Sequence, residues 1–408
     1  MFRNFWRKLP FIFTSFILHG CDSFFPELPA EQDVLDGPVE GLTPEQERIF
    51  LEGDIAFGNV FTPITGLGPI FVVNSCAGCH AGDGKGHPST ALTRFSQTEN
   101  GEIKNRLLDK GGPQLQHLSI PGFTPEIVPP EANGISKVVA PAVTGLGFLA
   151  AVTDQTLLEI VERQRQEGLV SGEVQWTSPP DFFEPQPWQI SNEGQFIGRF
   201  GKKAAAINIL QQVVGAYKQD MGITSDFDTE DPINFGVSSD QIDPTIDPEL
   251  PAATVNSVAF YIRTLKAPIP REQDNPDVIA GKAIFRDINC SACHLPKLTT
   301  GISDIPLFSE VEFAPYTDLL LHDMGPGLDD EHVDGNEKSY EWRTPPLWGL
   351  GLAPNSQGGE FFLLHDGRAN SIEEAILMHG GEAEMMKNAY ENLPPSEKDQ
   401  LIKFLESL

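Results

Sequence analysis

The sequence predicts a mostly α-helical protein made of two units, the first with long insertions. Three observations predict this. Amphipathic helical periods recur along the chain, while strand signals are sparse. A pattern of apolar segment, Cys-x-x-Cys-His and loop occurs twice, over residues 57–80 and 281–294. The breaker Pro268-Ile269-Pro270 falls between the two occurrences. The 408 residues give room for two or three domains. Apolar residues at 40% and charged residues at 21% are a globular composition, and 38 glycines with 34 prolines require much loop.

The chain opens MFRNFWRKLPFIFTSFILHGC. Arg3, Arg7 and Lys8 form a positive flank, and residues 9–18 an apolar core too short for a permanent bilayer span. Residues 1–20 are therefore expected to be an export signal. Leu18-His19-Gly20-Cys21 resembles a bacterial lipobox, which would make Cys21 the lipid-modified start of the mature chain; ordinary secretory cleavage nearby is the alternative. Several acyl chains on one cysteine give firm anchoring. The expected location is the periplasm or cell envelope, at a membrane. Residues 21–48, rich in Pro, Glu, Asp and Gly, read as a tether. Residues 49–267 then form the N-terminal unit and 268–408 the C-terminal one. Within the first, residues 153–166 and 204–218 read as amphipathic helices and 253–266 as the last helix.

The formal charge is −30. Such a surface repels nucleic acid and anionic lipid and favours a partner with a basic face; solubility or salt adaptation explains it equally well.

Of five cysteines, four remain if Cys21 is lipidated, in the pairs Cys76/Cys79 and Cys290/Cys293. Each pair is followed at once by a histidine, His80 or His294. Two thiols at this spacing can add across the vinyl groups of one haem, and the next residue sets an imidazole under the iron. A zinc ribbon is the first alternative, but its pairs lie ~15–20 residues apart and it has no use for the histidines. A dithiol or disulfide also leaves them unexplained. The sequence thus points to two covalently bound c-type haems. A calcium ion is a further cofactor to look for, with no motif assigned to it.

The opposite iron faces need histidine, methionine, solvent or nothing. Ser371-Ile372-Glu373-Glu374 predicts a capped helix start. Ile372, Ala375, Ile376 and His379 then share one face, and Gly380-Gly381 ends the helix. His379 is the candidate ligand of the second haem, against the alternative of a hydrogen-bonded core histidine; Met378 points elsewhere. For the first haem, Met221, Met324, His87 and His117 stay open, with core packing the commoner use of a methionine.

Several stretches resemble one family: GLGPIF (66–71), CHAGDGKG (79–86), GRFGKKA (198–204), QDMGITSDF (219–227), LLLHDMGPGL (319–328), EWRTPPLWGLGL (341–352) and LHDGRANSIEEAILMHGGEA (364–383). From about residue 50 onward the chain resembles the bacterial di-haem oxidoreductases, also labelled thiol oxidoreductases. These are related to di-haem cytochrome c peroxidases and to di-haem enzymes that oxidise a protein tryptophan precursor. The resemblance implies two cytochrome c-like domains, the C-terminal haem a low-spin relay and the N-terminal haem the one that meets peroxide. His365-Asp366-Gly367 resembles the peroxidases' His-Asp-Gly turn, and His379 then falls where those enzymes carry the relay's distal methionine. An imidazole there lowers the haem's potential. Two departures stand out: Ala150 replaces a family glutamate, and Lys202 replaces a tryptophan. An aromatic bridge between the haems would need Trp188, Trp342 or Trp348, and no cysteine is left to act as a redox thiol.

The expected chemistry is reduction of hydrogen peroxide with electrons from a small cytochrome c or cupredoxin. Gln114, Gln116, Glu126 and Glu159 are candidate distal proton-moving groups, against roles as solvated or structural residues. Arg199, Arg343 and Arg368 are candidates for pairing with haem propionates, against surface ion pairs. A non-catalytic electron-transfer protein is the main alternative, and oxidation of a larger organic or protein substrate the third.

Overall fold

A computed structural model describes residues 30–237 and 245–408. The export signal and Cys21 lie outside the described residues. Each Cys-x-x-Cys-His motif is preceded by a helix that packs on another helix further along the chain. Helix Pro44–Gly58 starts with a full capping box: Thr43 Oγ1 accepts from Gln46 N and Gln46 Oε1 accepts from Thr43 N, with Pro44 at the first helical position. It lies against helix Ala252–Thr264, burying Phe50 and Phe57 beside Tyr261. The backbones come so close that a Cβ on Gly53 would sit 2.1 Å from Ser257 O. The second unit repeats the device. Helix Pro276–Asp287, capped by Asn275, packs on helix Pro395–Ser407, and a Cβ on Gly281 would sit 2.0 Å from Gln400 O.

The expected amphipathic segments form helices Asp154–Glu167, capped by Thr153, and Ile209–Met221, capped by Asn208. The second starts later than the sequence suggests, because Asn208 takes the N-cap and Ala206 bridges to Phe200 instead of entering the helix.

The expectation of a mostly α fold needs correction. Among the described residues, eleven short strands form five small antiparallel sheets beside the helices. The largest joins Leu92–Glu99 to Glu102–Asn105 and Gly134–Val138. Phe95 and Ser96 are both fully buried, so this strand is covered on both faces and lacks the simple alternation that marks a half-buried strand.

The larger hydrophobic core runs from Phe50 to Leu265 but also takes up Leu298, Leu319, Leu320 and Trp348, beyond the Pro268-Ile269-Pro270 break. The smaller one gathers Val278, Phe285, Tyr390, Leu401 and Phe404. Among the described residues no helix is long and apolar enough to cross a membrane.

Candidate di-haem site

Both motifs fold into the same tight turn. Residues Cys76–Cys79 make one helical turn, capped by Ser75 Oγ accepting from Gly78 N at 3.1 Å. Residues Cys290–Ala292 make a 3-10 turn after Asn289, whose φ is +65°. In each, the histidine N–H donates to the first cysteine's carbonyl, at 3.0 Å for His80 and 3.1 Å for His294. All four thiols and both histidines line one continuous cavity of about 590 Å³.

The four cysteines are unbridged. Burial, helped by Asp220, pushes the Cys76 thiol up to about 12 and Cys79 up to about 11; burial raises Cys290 to about 12. Thiols activated as nucleophiles show the opposite shift. Among the described residues no group of side chains with metal-ligand spacing contains two of these sulfurs, whereas a zinc ribbon brings four together.

Burial holds the histidines neutral. Burial drives His294 down to about 4, although its Nδ1 donates to Tyr316 O at 2.9 Å. That bond fixes the ring and leaves Nε2 for iron. His379 follows helix Ile372–Leu377, whose N-cap Ser371 accepts from Glu374 N. Its Nδ1 donates to Ala375 O at 2.6 Å, it lines the same cavity, and burial lowers its basicity. His379 also lies close enough to His294 to disfavour a proton there. Met378 is 37% exposed and points away. His80 differs: burial takes it down to about 4, and its Nδ1 is buried without a hydrogen bond. The Pro141 and Gly84 carbonyls oppose that shift, while Phe57 packs at 5.9 Å between ring centroids.

Cations supply the second test of fit. Lys85, Lys202, Lys203 and Arg343 line the cavity, and among the described residues none has a carboxylate within ion-pair distance. Burial lowers Lys85 to about 8, Lys202 to about 7 and Arg343 to about 10. Lys203 is 1% exposed, donates to Ser339 O and Glu341 O, and sits 3.6 Å over the Trp342 ring. In a chain with 58 acids and 28 bases, unpaired cations in one cavity call for anions. Two haems bring four carboxylates. The residues present therefore fit the group: His80, His294 and His379 would ligate iron, and the lysines with Arg343 would face propionates.

The other sequence candidates fall in different places. Arg343 lines the cavity, donating to Gly201 O and Thr344 O. Arg199 also lines it, but its guanidinium is used by Asp154 and Val152 O and lies over Trp188. Arg368 does not line it; it pairs with Asp366 at the surface. Gln114, Gln116, Glu126 and Glu159 also stay outside the cavity. Glu159 is exposed on helix Asp154–Glu167, where Gln155 donates to it. Glu126 is buried against the Gln116 N–H, which donates to it at 2.9 Å, and Gln116 itself holds Gln219 O. Gln114 stands behind a cavity residue, donating to Asp220 Oδ1 at 2.6 Å. Met221 lines the cavity and is also packed in the larger core. Met324 lines it too, whereas His87 and His117 do not. Trp342 and Trp348 line it, while Trp188 is tied to Ile302 O.

Sequence reasoning passed over Asp220, Lys85 and Lys203. Asp220 was legible only as the neighbour of Met221; Lys85 and Lys203 stood in quoted motifs, but a buried lysine has no local signature. His322, the other buried imidazole near Cys293, has both nitrogens bonded to carboxylates, Asp318 at 2.8 Å and Glu382 at 2.9 Å, so it is not an iron ligand. For calcium, the oxygen-only cluster among the described residues is Asp231, Asp247 and Glu249, where Thr224 donates to the latter two.

The family model described as "Di-haem oxidoreductase, putative peroxidase" matches residues 134–408. The chain belongs to the di-haem oxidoreductase family. The match includes the second motif and starts beyond the first. Among solved structures, hydrazine synthase of Kuenenia stuttgartiensis is similar at 15% identity and a TM-score of 0.39, over 99% of this chain and 100% of that one. A MauG-like protein associated with microbial copper homeostasis is similar at 12% identity and a TM-score of 0.39, over 94% and 95%. No curated protein matches significantly.

Proposed function

We propose that this di-haem oxidoreductase is an exported protein, lipid-anchored through Cys21, that carries two covalent c-type haems and reduces peroxide with electrons from a small redox protein. The observation that carries the reading is a single cavity lined by both motifs whose two ends differ. The second end has histidines on offer, His294 and His379, each fixed by a ring-to-carbonyl bond. At the first, His80 has no hydrogen bond at Nδ1; of the other imidazoles lining the cavity, His332 is held by Ser96 and Asp334, and His365 is stacked on Trp342 with no hydrogen bond at Nε2.

Bound haem iron supplies one-electron chemistry and, where an axial position accepts small ligands, peroxide reduction. That reaction takes two electrons and two protons to two waters. The chain has lost the family's glutamate at Ala150. Asp220 offers a carboxyl in its place: it lines the cavity near Cys76 and Cys79, Gln114 holds its Oδ1, and Oδ2 is left to carry a proton.

The test is to add peroxide to haem-loaded protein after one-electron reduction and to follow donor oxidation. The reading expects turnover that falls about 10²-fold or more in Asp220→Asn with the resting spectrum unchanged. No turnover in the wild type would leave the second reading, electron transfer without peroxide chemistry, which Ala150 favours. Mass analysis of the N-terminal peptide tests the lipid separately.

A further inference from the structure

Around His379, residues that line the cavity alternate in sequence with exposed ones. Ala375, Ile376, His379 and Met386 line the cavity. Their neighbours Leu377, Met378 and Met385 face out, 39%, 37% and 56% exposed. Three exposed apolar side chains around one redox ligand mark a contact surface rather than scattered exposure. The rim is acidic. Residues 372–391 contain five acids and one lysine, and Lys387 is 3.7 Å from Glu384. Helix Glu384–Glu391 buries Met386 and Tyr390 and exposes Glu384, Met385 and Glu391.

The outer face of helix Pro44–Gly58 is the competing surface, with Leu51 and Ile55 exposed. That helix is acidic too, with Glu45, Glu47, Glu52 and Asp54 against Arg48, but its buried Phe57 stands between it and the cavity histidine His80, at 5.9 Å between ring centroids. Anionic lipid would be repelled by the His379 face, and a second copy would meet its own charge.

We propose that this face, centred on Met378 and Met385 and rimmed by Glu384 and Glu391, docks the electron donor: a small redox protein with an apolar edge ringed by lysines. Electrons then cross the wall at His379. The proposal rests on the di-haem redox reading above and adds to it where the donor sits. An apolar centre supplies contact, and the acidic rim speeds and orients encounter.

The test measures the second-order rate at which a reduced, lysine-rich small cytochrome c reduces the oxidised haem-loaded protein, with dithionite as a second reductant. E384K/E391K should slow the cytochrome about tenfold or more at low ionic strength, and the loss should fade at high salt. Met378→Ser/Met385→Ser should slow it at every salt concentration. Glu47→Lys, on the competing surface, should behave as wild type, and dithionite should reduce all four proteins alike. A wild-type rate in E384K/E391K, or the larger loss in Glu47→Lys, would overturn the docking site, as would a wild type reduced by dithionite but not by the cytochrome. A wild type that neither reductant reduces would overturn the redox reading itself.

Discussion

The two motif ends of the cavity share a backbone turn and differ in how they hold their imidazoles. His294 is oriented by Tyr316 O and faces the zone of His379, itself oriented by Ala375 O. His80 Nδ1 has no hydrogen bond; the Pro141 and Gly84 carbonyls lie near enough to its ring to oppose the loss of its proton, and Phe57 packs against it. A pair of imidazoles oriented by ring-to-carbonyl bonds would hold a bound haem's iron with a fixed ligand set, whereas an imidazole without a bond at Nδ1 would leave room for an exchangeable position. On the proposed reading, one repeated turn would serve two roles through the contacts around its histidine rather than through the motif.

Removing one motif at a time should break this comparison most completely. The C290S/C293S double variant should lose one haem by mass and with it reduction by the donor protein. The C76S/C79S variant should lose the other haem, keep donor reduction and lose peroxide turnover. Equal loss of both activities in both variants would mean that the ends are not specialised.

The next effect contrasts two buried arginines. Arg199 is paired with Asp154 and Arg343 has no carboxylate partner. Asp154→Ala should strand the Arg199 charge and cost about 3–5 kcal/mol of stability, read from denaturant unfolding of the haem-loaded protein. Arg343→Leu should cost far less before haem is attached and show its effect as weaker haem retention or a shifted potential.

His379→Met sharpens the comparison at the second end. Thioether ligation should raise that haem's potential by roughly a tenth of a volt, within the ~0.8 V span that axial ligands command, and leave the first haem's potential unchanged in a redox titration. An equal shift in both would place His379 between the haems rather than on one.

The smallest effect is outside the cavity. Burial raises Glu126 from 4.5 to about 7. The folded state therefore prefers the protonated carboxyl, so its contribution is full below pH 4.5 and is lost as pH rises to 7. Glu126→Gln should remove that loss and gain about 2 kcal/mol at pH 8 relative to pH 5, measured by unfolding at both pH values.

Much of the second end was legible in the sequence. The Ser371 cap and the face shared by Ile372, Ala375, Ile376 and His379 are local physics that the structure keeps, although the helix ends at Leu377, before the Gly380-Gly381 stop, and His379 follows it in a tighter turn. The first end was not legible, because its lining comes from loops and helices far apart in sequence: Lys85, Asp220 and Lys203 meet only in the folded chain. Gln114 shows the same limit. Its residue type suggested chemistry, but its place is behind Asp220 rather than in the cavity. The small sheets escaped because most strands are two or three residues long, below the length at which alternation can be seen.

The most direct test of unequal ends is the low-temperature electron paramagnetic resonance spectrum of the oxidised, haem-loaded protein and its His379→Ala variant. The account predicts two distinct haem signals in the wild type, one of them low-spin with two imidazoles, and loss of that signal alone in the variant. Two equivalent low-spin haems, both indifferent to the substitution, would contradict it.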